Sequence, residues 1–233
     1  MPEGKPVDPE EVTDEEGELL VRLARESVEH YIRYRSIMPL PEGIPEKLLR
    51  PGMAFVTIET YYGPDKRELR GCIGTTAPVK SLAQTVIEVA VESAFSDPRF
   101  PPLEEYELDN VTFEVSVLSV PEYLGDTVES RIQNVLIGRD GLIADADYYK
   151  GLLLPVVPVE NLWDRSTFLS ETCIKAGLWP DCWASRRVKM YRFRARVWRE
   201  KTPRGPVERR IMREEYINRL ARHGVDPGEF EPY

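Results

Sequence analysis

The sequence predicts an α+β fold with a mainly antiparallel sheet, packed helices and two lobes. Residues 53–59 and 68–73 have the composition of strands, and the turn cluster Tyr62-Gly63-Pro64-Asp65 between them predicts a hairpin. The order hairpin, helix, strand then occurs twice along the chain. A sheet that begins with a hairpin argues against a doubly wound parallel fold. We therefore expect a duplicated β-β-α-β unit.

Capping and periodicity predict the elements of the first half. Thr13 and Glu16 form a Thr-x-x-Glu capping box, and apolar residues recur at helical spacing up to about Arg35. A second helix is expected over 79–94. In residues 111–117, apolar and polar side chains alternate, which is the period of a half-buried strand.

The second half is predicted to repeat this order with shorter elements. Asp164 is a helix N-cap, and Gly177 ends the helix that it begins. The chain is interpreted as one domain, 1–233, with a first half at 1–124 and a second half at 125–233. The LRGCI segment at 69–73 has a faint counterpart in YKGLL at 149–153. The other predicted elements are short strands at 135–137 and 142–144, an extended segment at 148–154, a long strand at 188–198 and a helix at 214–222.

The composition is typical of a globular protein from a heat-adapted, thermophile source. The chain is 42% hydrophobic and 30% charged, with 20 prolines. The first 17 residues are acidic and lack the apolar segment of a signal peptide. The longest apolar run, 151–159, has about half the length of a membrane span. These features predict an intracellular, cytoplasmic protein that does not enter a membrane.

The charge is unevenly distributed. The net charge is −9, yet residues 186–222 carry 14 lysines and arginines against 4 acidic residues, a local charge of +10. Arg192, Arg194 and Arg196 are expected on one face of a strand, where a row of guanidinium groups can follow phosphates. These residues are weak nucleic-acid candidates. We favour salt bridges to the acidic remainder of the chain.

The three cysteines and two histidines offer few arrangements for metals or disulfides. No close-set pair indicates a zinc site or a disulfide framework. A bridge between Cys173 and Cys182 is sterically conceivable, but we do not expect it. No Walker or dinucleotide-binding glycine pattern occurs. We expect no metal and no cofactor, although a site of carboxylates alone stays open.

The LRGCIG segment, residues 69–74, carries the main candidate site. Gly71 and Gly74 lack side chains on either side of Cys72, so backbone or a ligand can come close. Arg70 would favour the thiolate of Cys72 if both groups share a polar, partly exposed setting. Cys72 is thus a candidate nucleophile or redox thiol. The alternative is a small residue packed within a strand.

Several further segments follow LRGCIG in a recognisable order. Together, from about Glu18 to Trp198, they resemble the AMMECR (AMME chromosomal region, candidate one) protein family, here as an archaeal stand-alone member. The resemblance implies a two-part α+β protein with a cleft beside the cysteine strand, and the family has no settled biochemical activity. Val156 stands where family members commonly have glutamine, so a hydrogen bond from that glutamine would be missing. The matching segments are SAFSDPRFPP at 93–102, EVSVL at 114–118, GLLLP at 151–155 and FL…C.KAGL at 168–178.

A thiol nucleophile needs a base, and both histidines lie outside these segments. Glu114 is the candidate acid/base, because its strand could lie beside the cysteine strand. The alternation pattern of its strand alone favours an ordinary carboxylate that faces solvent. The match to the family motif favours a role for Glu114 in the site instead. Asp97 and Arg99 could line the cleft or pair with each other. Ser116 and, more weakly, Glu160 complete the binding candidates.

These residues lead to a first hypothesis and two rivals. The first is an enzyme or enzyme partner with a cleft around Cys72, acting by group transfer or modification on a protein or RNA. The second is a non-catalytic adaptor that binds RNA or protein through the arginine strand and the C-terminal tail. The third is a structural motif whose glycines serve only tight contact between sheet and helix.

Overall fold

The computed structural model describes residues 2–225, and the chain divides into two compact units. Among these residues, the first unit comprises 2–119 and 196–210, and the second comprises 120–195 and 211–225. The halves expected from the sequence divide near 124 and assign 196–210 to the second half. The difference arises because strand β7, Lys189–Glu200, contributes to both units, and its last residues pair with β8, Val207–Arg210.

The first unit contains the predicted β-β-α-β order after its N-terminal helix. Thr13 and Glu16 form the expected capping box at the start of α1. Its sheet has the order β2-β1-β3, and β1 is antiparallel to both neighbours. The elements are α1 Asp14–Tyr34, β1 Met53–Gly63, β2 Lys66–Gly74, α2 Leu82–Phe95 and β3 Val111–Leu118, with 3₁₀ turns at Pro9–Glu11, Glu46–Leu49 and Glu105–Asn110.

One face of this sheet and the helices α1 and α2 form the core of the first unit. Val56 and Ile58 of β1 and Phe113 of β3 point to the helices and are fully buried. Because strand side chains alternate between faces, Thr57 must point to the opposite face. The residues that lie between the core positions therefore form a second, separate face.

The second unit repeats the order with shorter elements. Its sheet runs β7-β5-β6, and β4 pairs with β7. No helix within residues 2–225 combines the length and hydropathy needed to cross a bilayer. The elements are β4 Glu122–Tyr123, α3 Val128–Gln133, β5 Asp140–Ala146, β6 Tyr149–Leu153, α4 Val156–Glu160, α5 Arg165–Lys175, a 3₁₀ helix Pro180–Ala184, β7 and α6 Met212–Arg222.

The strand expected at 135–137 is absent, and that prediction is wrong. The Asp140 side chain accepts a hydrogen bond from the Leu136 N–H at 2.8 Å, while the Asp140 N–H donates to the Leu136 carbonyl. These two bonds close a turn. Val135 and Ile137 are buried by the turn, so their hydrophobicity did not indicate a strand.

A glycine occupies the same place in both β-β-α-β units. A methyl group on Gly71 would lie 2.1 Å from the Ser93 carbonyl oxygen at the end of α2. A methyl group on Gly151 would lie 2.3 Å from the Ala176 backbone nitrogen at the end of α5. The faint similarity between LRGCI and YKGLL thus marks two equivalent contacts between an outer strand and a helix end.

Cys173 and Cys182 form a disulfide, contrary to our expectation from the sequence. Their Cα atoms are 5.7 Å apart, and both side chains are fully buried. The chain reverses at Gly177, which has a φ of +76°, and this reversal brings the end of α5 back to the following 3₁₀ helix. The nine-residue spacing suggested no such proximity.

Opening this disulfide is expected to reduce the free energy of unfolding by about 3 kcal/mol, because a loop of this length then gains entropy in the unfolded chain. Chemical denaturation with and without dithiothreitol measures the effect. Cys182→Ala should lose the sensitivity to dithiothreitol, whereas Cys72→Ala should keep it. An equal midpoint for oxidised and reduced protein would contradict the prediction.

Gly71→Ala and Gly151→Ala are each expected to destabilise the protein by about 3 kcal/mol, since backbone atoms of a helix end must move. Urea denaturation measures this change. Gly205→Ala is the control, because its methyl group meets the movable Thr202 hydroxyl first. A loss at Gly71 no larger than at Gly205 would show that the close contact is unimportant.

Candidate functional site

Cys72, Thr57 and Glu114 form one row across three strands on the face opposite the helices. Thr57 of β1 is the register partner of Cys72 in β2 and of Glu114 in β3. The sequence had suggested that the strand of Glu114 could lie directly beside the cysteine strand. In the structure it does not, because β1 runs between the two strands. The antiparallel register nevertheless brings the two predicted catalytic side chains to the same row. We call these three residues the Cys72 row.

Cys72 is a free cysteine of intermediate exposure, and its surroundings favour the protonated thiol. The Thr57 hydroxyl donates a hydrogen bond to Sγ at 3.2 Å. Burial is the main cause that raises the pKa of the Cys72 thiol, and the negative charges of Glu114 and Asp97 raise it further. The Thr57 hydrogen bond and the positive charge of Arg99 oppose this increase but do not reverse it.

Arg70 pairs with Glu107 and not with the Cys72 thiol that it was expected to activate. Its guanidinium makes a bidentate pair with Glu107, at 2.8 and 3.0 Å, and donates to the Pro101 carbonyl. A register irregularity between β1 and β2 falls at Arg70 and interrupts the regular alternation there. Arg70 therefore holds the loop that follows α2, and the cation near Cys72 is Arg99.

Asp97 and Arg99 close the outer edge of β2 at Cys72. Asp97 accepts the Cys72 N–H at 2.9 Å, and Arg99 donates to the Cys72 carbonyl at 3.3 Å. The two side chains also pair with each other, the second of the alternatives considered above. Hydrogen bonds from Arg99, with further ones from backbone N–H groups, lower the pKa of Asp97 to about 2. We call this arrangement the edge clasp.

The two glycines make room for packing rather than for access to sulfur. Gly71 allows the approach of α2, as described above. A methyl group on Gly74 would lie 2.3 Å from the Phe55 ring. Phe55 has Ser116 as its register partner on β3, and Ser116 is buried. The packing roles of both glycines agree with the structural interpretation of the motif.

Glu114 forms a buried ion pair with Arg210 of β8. The distance between Nη1 and Oε2 is 2.8 Å, and the side chains are only 5% and 2% exposed. Sequence analysis missed Arg210, because nothing in its local pattern indicates that β8 reaches this face. Thr57 was missed too, although its position between Val56 and Ile58 in an alternating strand is the signal that could have indicated it.

The remaining candidates do not join the Cys72 row. Glu160 ends α4 in the second unit. Arg192 pairs with Glu122, Arg194 has Asp140 as its register partner, and Arg196 pairs with Glu10. Within the described part of the chain, no group of three His, Cys, Asp or Glu residues could hold a metal ion.

Comparison with known proteins identifies the family. The AMMECR1 family model matches residues 21–198. The chain belongs to the AMMECR1 family. A protein from Thermococcus gammatolerans is 47% identical over 201 residues, covering 86% of this chain and 98% of the relative. One from Aeropyrum pernix is 48% identical over 212 residues, covering 91% of this chain and 90% of the relative.

A solved structure shares the fold. The crystal structure of uncharacterized protein PH0010 from Pyrococcus horikoshii matches with a TM-score of 0.83 at 45% sequence identity. The match covers 86% of this chain and 98% of that chain. The α+β fold with an antiparallel sheet and packed helices is therefore confirmed, as is the family that the sequence motifs indicated.

The lowered pKa of Asp97 predicts a pH dependence of stability. Because the folded pKa of about 2 lies below the unfolded value of 3.8, this carboxylate stabilises the fold above pH 4 and loses that effect as the pH falls through 2. Asp97→Asn should remove about 2 kcal/mol at pH 7 and flatten the acid dependence of unfolding. Urea denaturation between pH 2 and pH 7 measures both effects.

Glu105→Gln is the matched control for Asp97→Asn. Glu105 is exposed and lies in the same loop region, so its substitution should leave the acid dependence nearly unchanged. If Asp97→Asn and wild type lost stability in parallel below pH 4, the edge clasp would not be the source of the dependence.

Proposed function

We propose that this AMMECR1-family protein is an enzyme, or the partner of an enzyme, that acts on a protein or RNA substrate bound against the Cys72 row. The observation that carries this proposal is the register that aligns Cys72, Thr57 and Glu114 on one face. A cysteine of intermediate exposure and a carboxylate that affects its pKa are groups suited to nucleophilic chemistry.

The polarity of a buried strand supports a functional role for this face. All eight residues of β3 are buried, and a strand buried on both faces is ordinarily apolar throughout. Here Thr112, Glu114 and Ser116 occupy one face of β3. A buried ion pair such as that of Glu114 with Arg210 contributes little net stability compared with apolar packing. The presence of these polar groups in a buried strand is better explained by a site than by stability.

The raised pKa of Cys72 defines how such a site would work. The resting thiol is protonated, so it does not attack a substrate spontaneously. A positively charged substrate group beside Glu114 and Asp97 would offset the negative charges that favour the protonated form. The thiol can then lose its proton to water, because β1 lies between Sγ and the Glu114 carboxylate and prevents a direct transfer. We infer that the thiol is activated by substrate binding and that the substrate presents a cationic group.

The alternative function is a non-catalytic adaptor that binds a macromolecule. The raised pKa of Cys72 favours it, because a protonated thiol is inert compared with a thiolate nucleophile. Binding of RNA or protein through the arginine strand is less well supported, because Arg192 already pairs with Glu122 and Arg196 already pairs with Glu10. Cys72→Ser separates the functions, since it should abolish catalysis but preserve binding by an adaptor.

The pH dependence of alkylation tests the coupling within the Cys72 row. Cys72 is the free thiol of the folded chain, because the other two cysteines form the disulfide. Its rate of reaction with iodoacetamide, followed by mass spectrometry from pH 6 to pH 10, should give a pKa above the ordinary value. Glu114→Gln should lower this pKa and accelerate alkylation at pH 7, about tenfold for each unit of change.

Glu92→Gln is the control, because it removes an exposed carboxylate from α2 and should leave the rate unchanged. If Glu114→Gln behaved like this control, Glu114 would not act on the thiol and the proposed pair would fail. A wild-type pKa below the ordinary range for cysteine would instead indicate a thiolate at rest, which contradicts activation by substrate.

A further inference from the structure

The outer edge of β6 in the second unit is a strand edge without a partner among the described residues. β6 pairs with β5 on one side, through a two-residue turn at Asp147 and Tyr148. Asp147 has a φ of +57°, as a tight hairpin turn of this kind requires. The register then fixes which backbone groups of β6 face β5 and which face outward.

Lys150 and Leu152 present their backbone groups outward. In a two-residue hairpin the residues that flank the turn, Ala146 and Tyr149, form a hydrogen-bonded pair, and the type of pair alternates along the ladder. The pairs of Lys150 with Asp145 and of Leu152 with Ile143 are consequently of the other type. Within residues 2–225, no hydrogen bond to the N–H or carbonyl of Lys150 or Leu152 is formed.

The corresponding edge of the first unit is closed by the protein itself. Gly71 and Gly151 are equivalent, so Cys72 of β2 corresponds to Leu152 of β6. At Cys72 the edge clasp supplies a carboxylate to the N–H and a guanidinium to the carbonyl. The described part of the chain provides no equivalent clasp at Leu152. The difference distinguishes an edge that is protected from one that can accept another strand.

Exposed apolar side chains accompany the open edge. Tyr148 at the turn is 98% exposed, and Tyr149 at the start of β6 is 56% exposed. Ile174 near the end of α5, the helix that packs on β6, is 47% exposed. A strand added to β6 would cover part of this apolar surface as well as the open backbone groups.

Charge indicates what the added strand carries. Lys150, Asp145 and Lys189 are register partners across β6, β5 and β7, and Lys150 also forms a salt bridge with Asp145 at 3.2 Å. The charges of these three residues alternate in sign across the sheet and sum to +1. An acidic residue on a strand added beside Lys150 would therefore continue the alternation. A second copy of β6 is disfavoured, because antiparallel self-pairing centred on Gly151 sets Lys150 opposite Leu152, and centring on Lys150 sets like charges opposite each other.

We propose that β6 binds an extended segment of another protein as an additional strand, with an acidic residue opposite Lys150 and an apolar residue opposite Leu152. Backbone hydrogen bonds to Lys150 and Leu152 hold the segment, and the side-chain pairs select its sequence. The surface uses no residue of the Cys72 row, so it provides partner binding irrespective of any activity there.

The sequence of β5 provides a probe, because it already pairs an aspartate with Lys150 and an isoleucine with Leu152 inside the fold. The probe is the acetylated and amidated peptide Asp-Gly-Leu-Ile-Ala-Asp-Ala, and the control peptide carries lysine in place of the second aspartate. We expect the probe, added to the full-length ¹⁵N-labelled protein, to shift the amide resonances of Lys150 and Leu152 saturably. The control peptide should bind at least fivefold more weakly.

Two variants separate binding from folding. Leu152→Pro removes an outward N–H that makes no bond to β5, so the fold should persist while binding of the probe is lost. Lys150→Glu should reverse the preference, so that the lysine peptide binds more tightly than the aspartate peptide. The spectrum of each variant away from β6 reports that it is folded.

Other outcomes would overturn the proposal. Slow hydrogen exchange at Lys150 and Leu152 in the free monomer would mean that the edge is already covered. Concentration-dependent dimerisation that protects the same two amides would assign the edge to a second copy of the chain. Equal affinity of Lys150→Glu for both peptides would exclude selection by charge.

Discussion

The architecture of the first unit depends on the fastening of one loop to the outer strand β2. The edge clasp satisfies the backbone of Cys72, and Arg70 binds Glu107 and the Pro101 carbonyl farther along the same loop. Two sequence segments that look unrelated, LRGCIG and SDPRFPP, are therefore the two sides of one contact. Arg70 has a structural role in this contact, whereas Gly71 allows packing against the end of α2 and Gly74 allows packing against Phe55. The Cys72 side chain is the part of LRGCIG that these structural roles leave unexplained.

The face of the sheet opposite the helices determines the chemical environment of the Cys72 sulfur. Apolar residues form the helix-facing side of β1 and β3, whereas the other side carries the Cys72 row and the buried pair of Glu114 with Arg210. Burial and the neighbouring carboxylates raise the pKa of this thiol and so favour its protonated form. In this chain the LRGCIG segment thus combines an edge that is fastened to a loop with a thiol whose pKa is raised.

Local signals in the sequence were sufficient for most of the fold. Capping residues located α1 and α5, and alternation located β3, because these signals depend on neighbours along the chain. The disulfide, the direction of Arg70 and the arrival of Arg210 depend on contacts between distant segments, which periodicity does not encode. The turn at 135–137 was predicted as a strand because buried turns and short strands have the same hydrophobicity. Motifs in the sequence indicated Cys72 and Glu114 as candidates. Their position in one row across the sheet could be recognised only from the register of the strands.

The sulfur bridge between α5 and the following 3₁₀ helix makes oxidation state a variable in work with this protein. A host with a reducing interior would deliver chains in which this link is open, closed or mixed, and each population would differ in resistance to heat. Because open chains contain three thiols, reagents that count thiols would report the proportion directly. Sample preparation therefore determines which molecule is being measured.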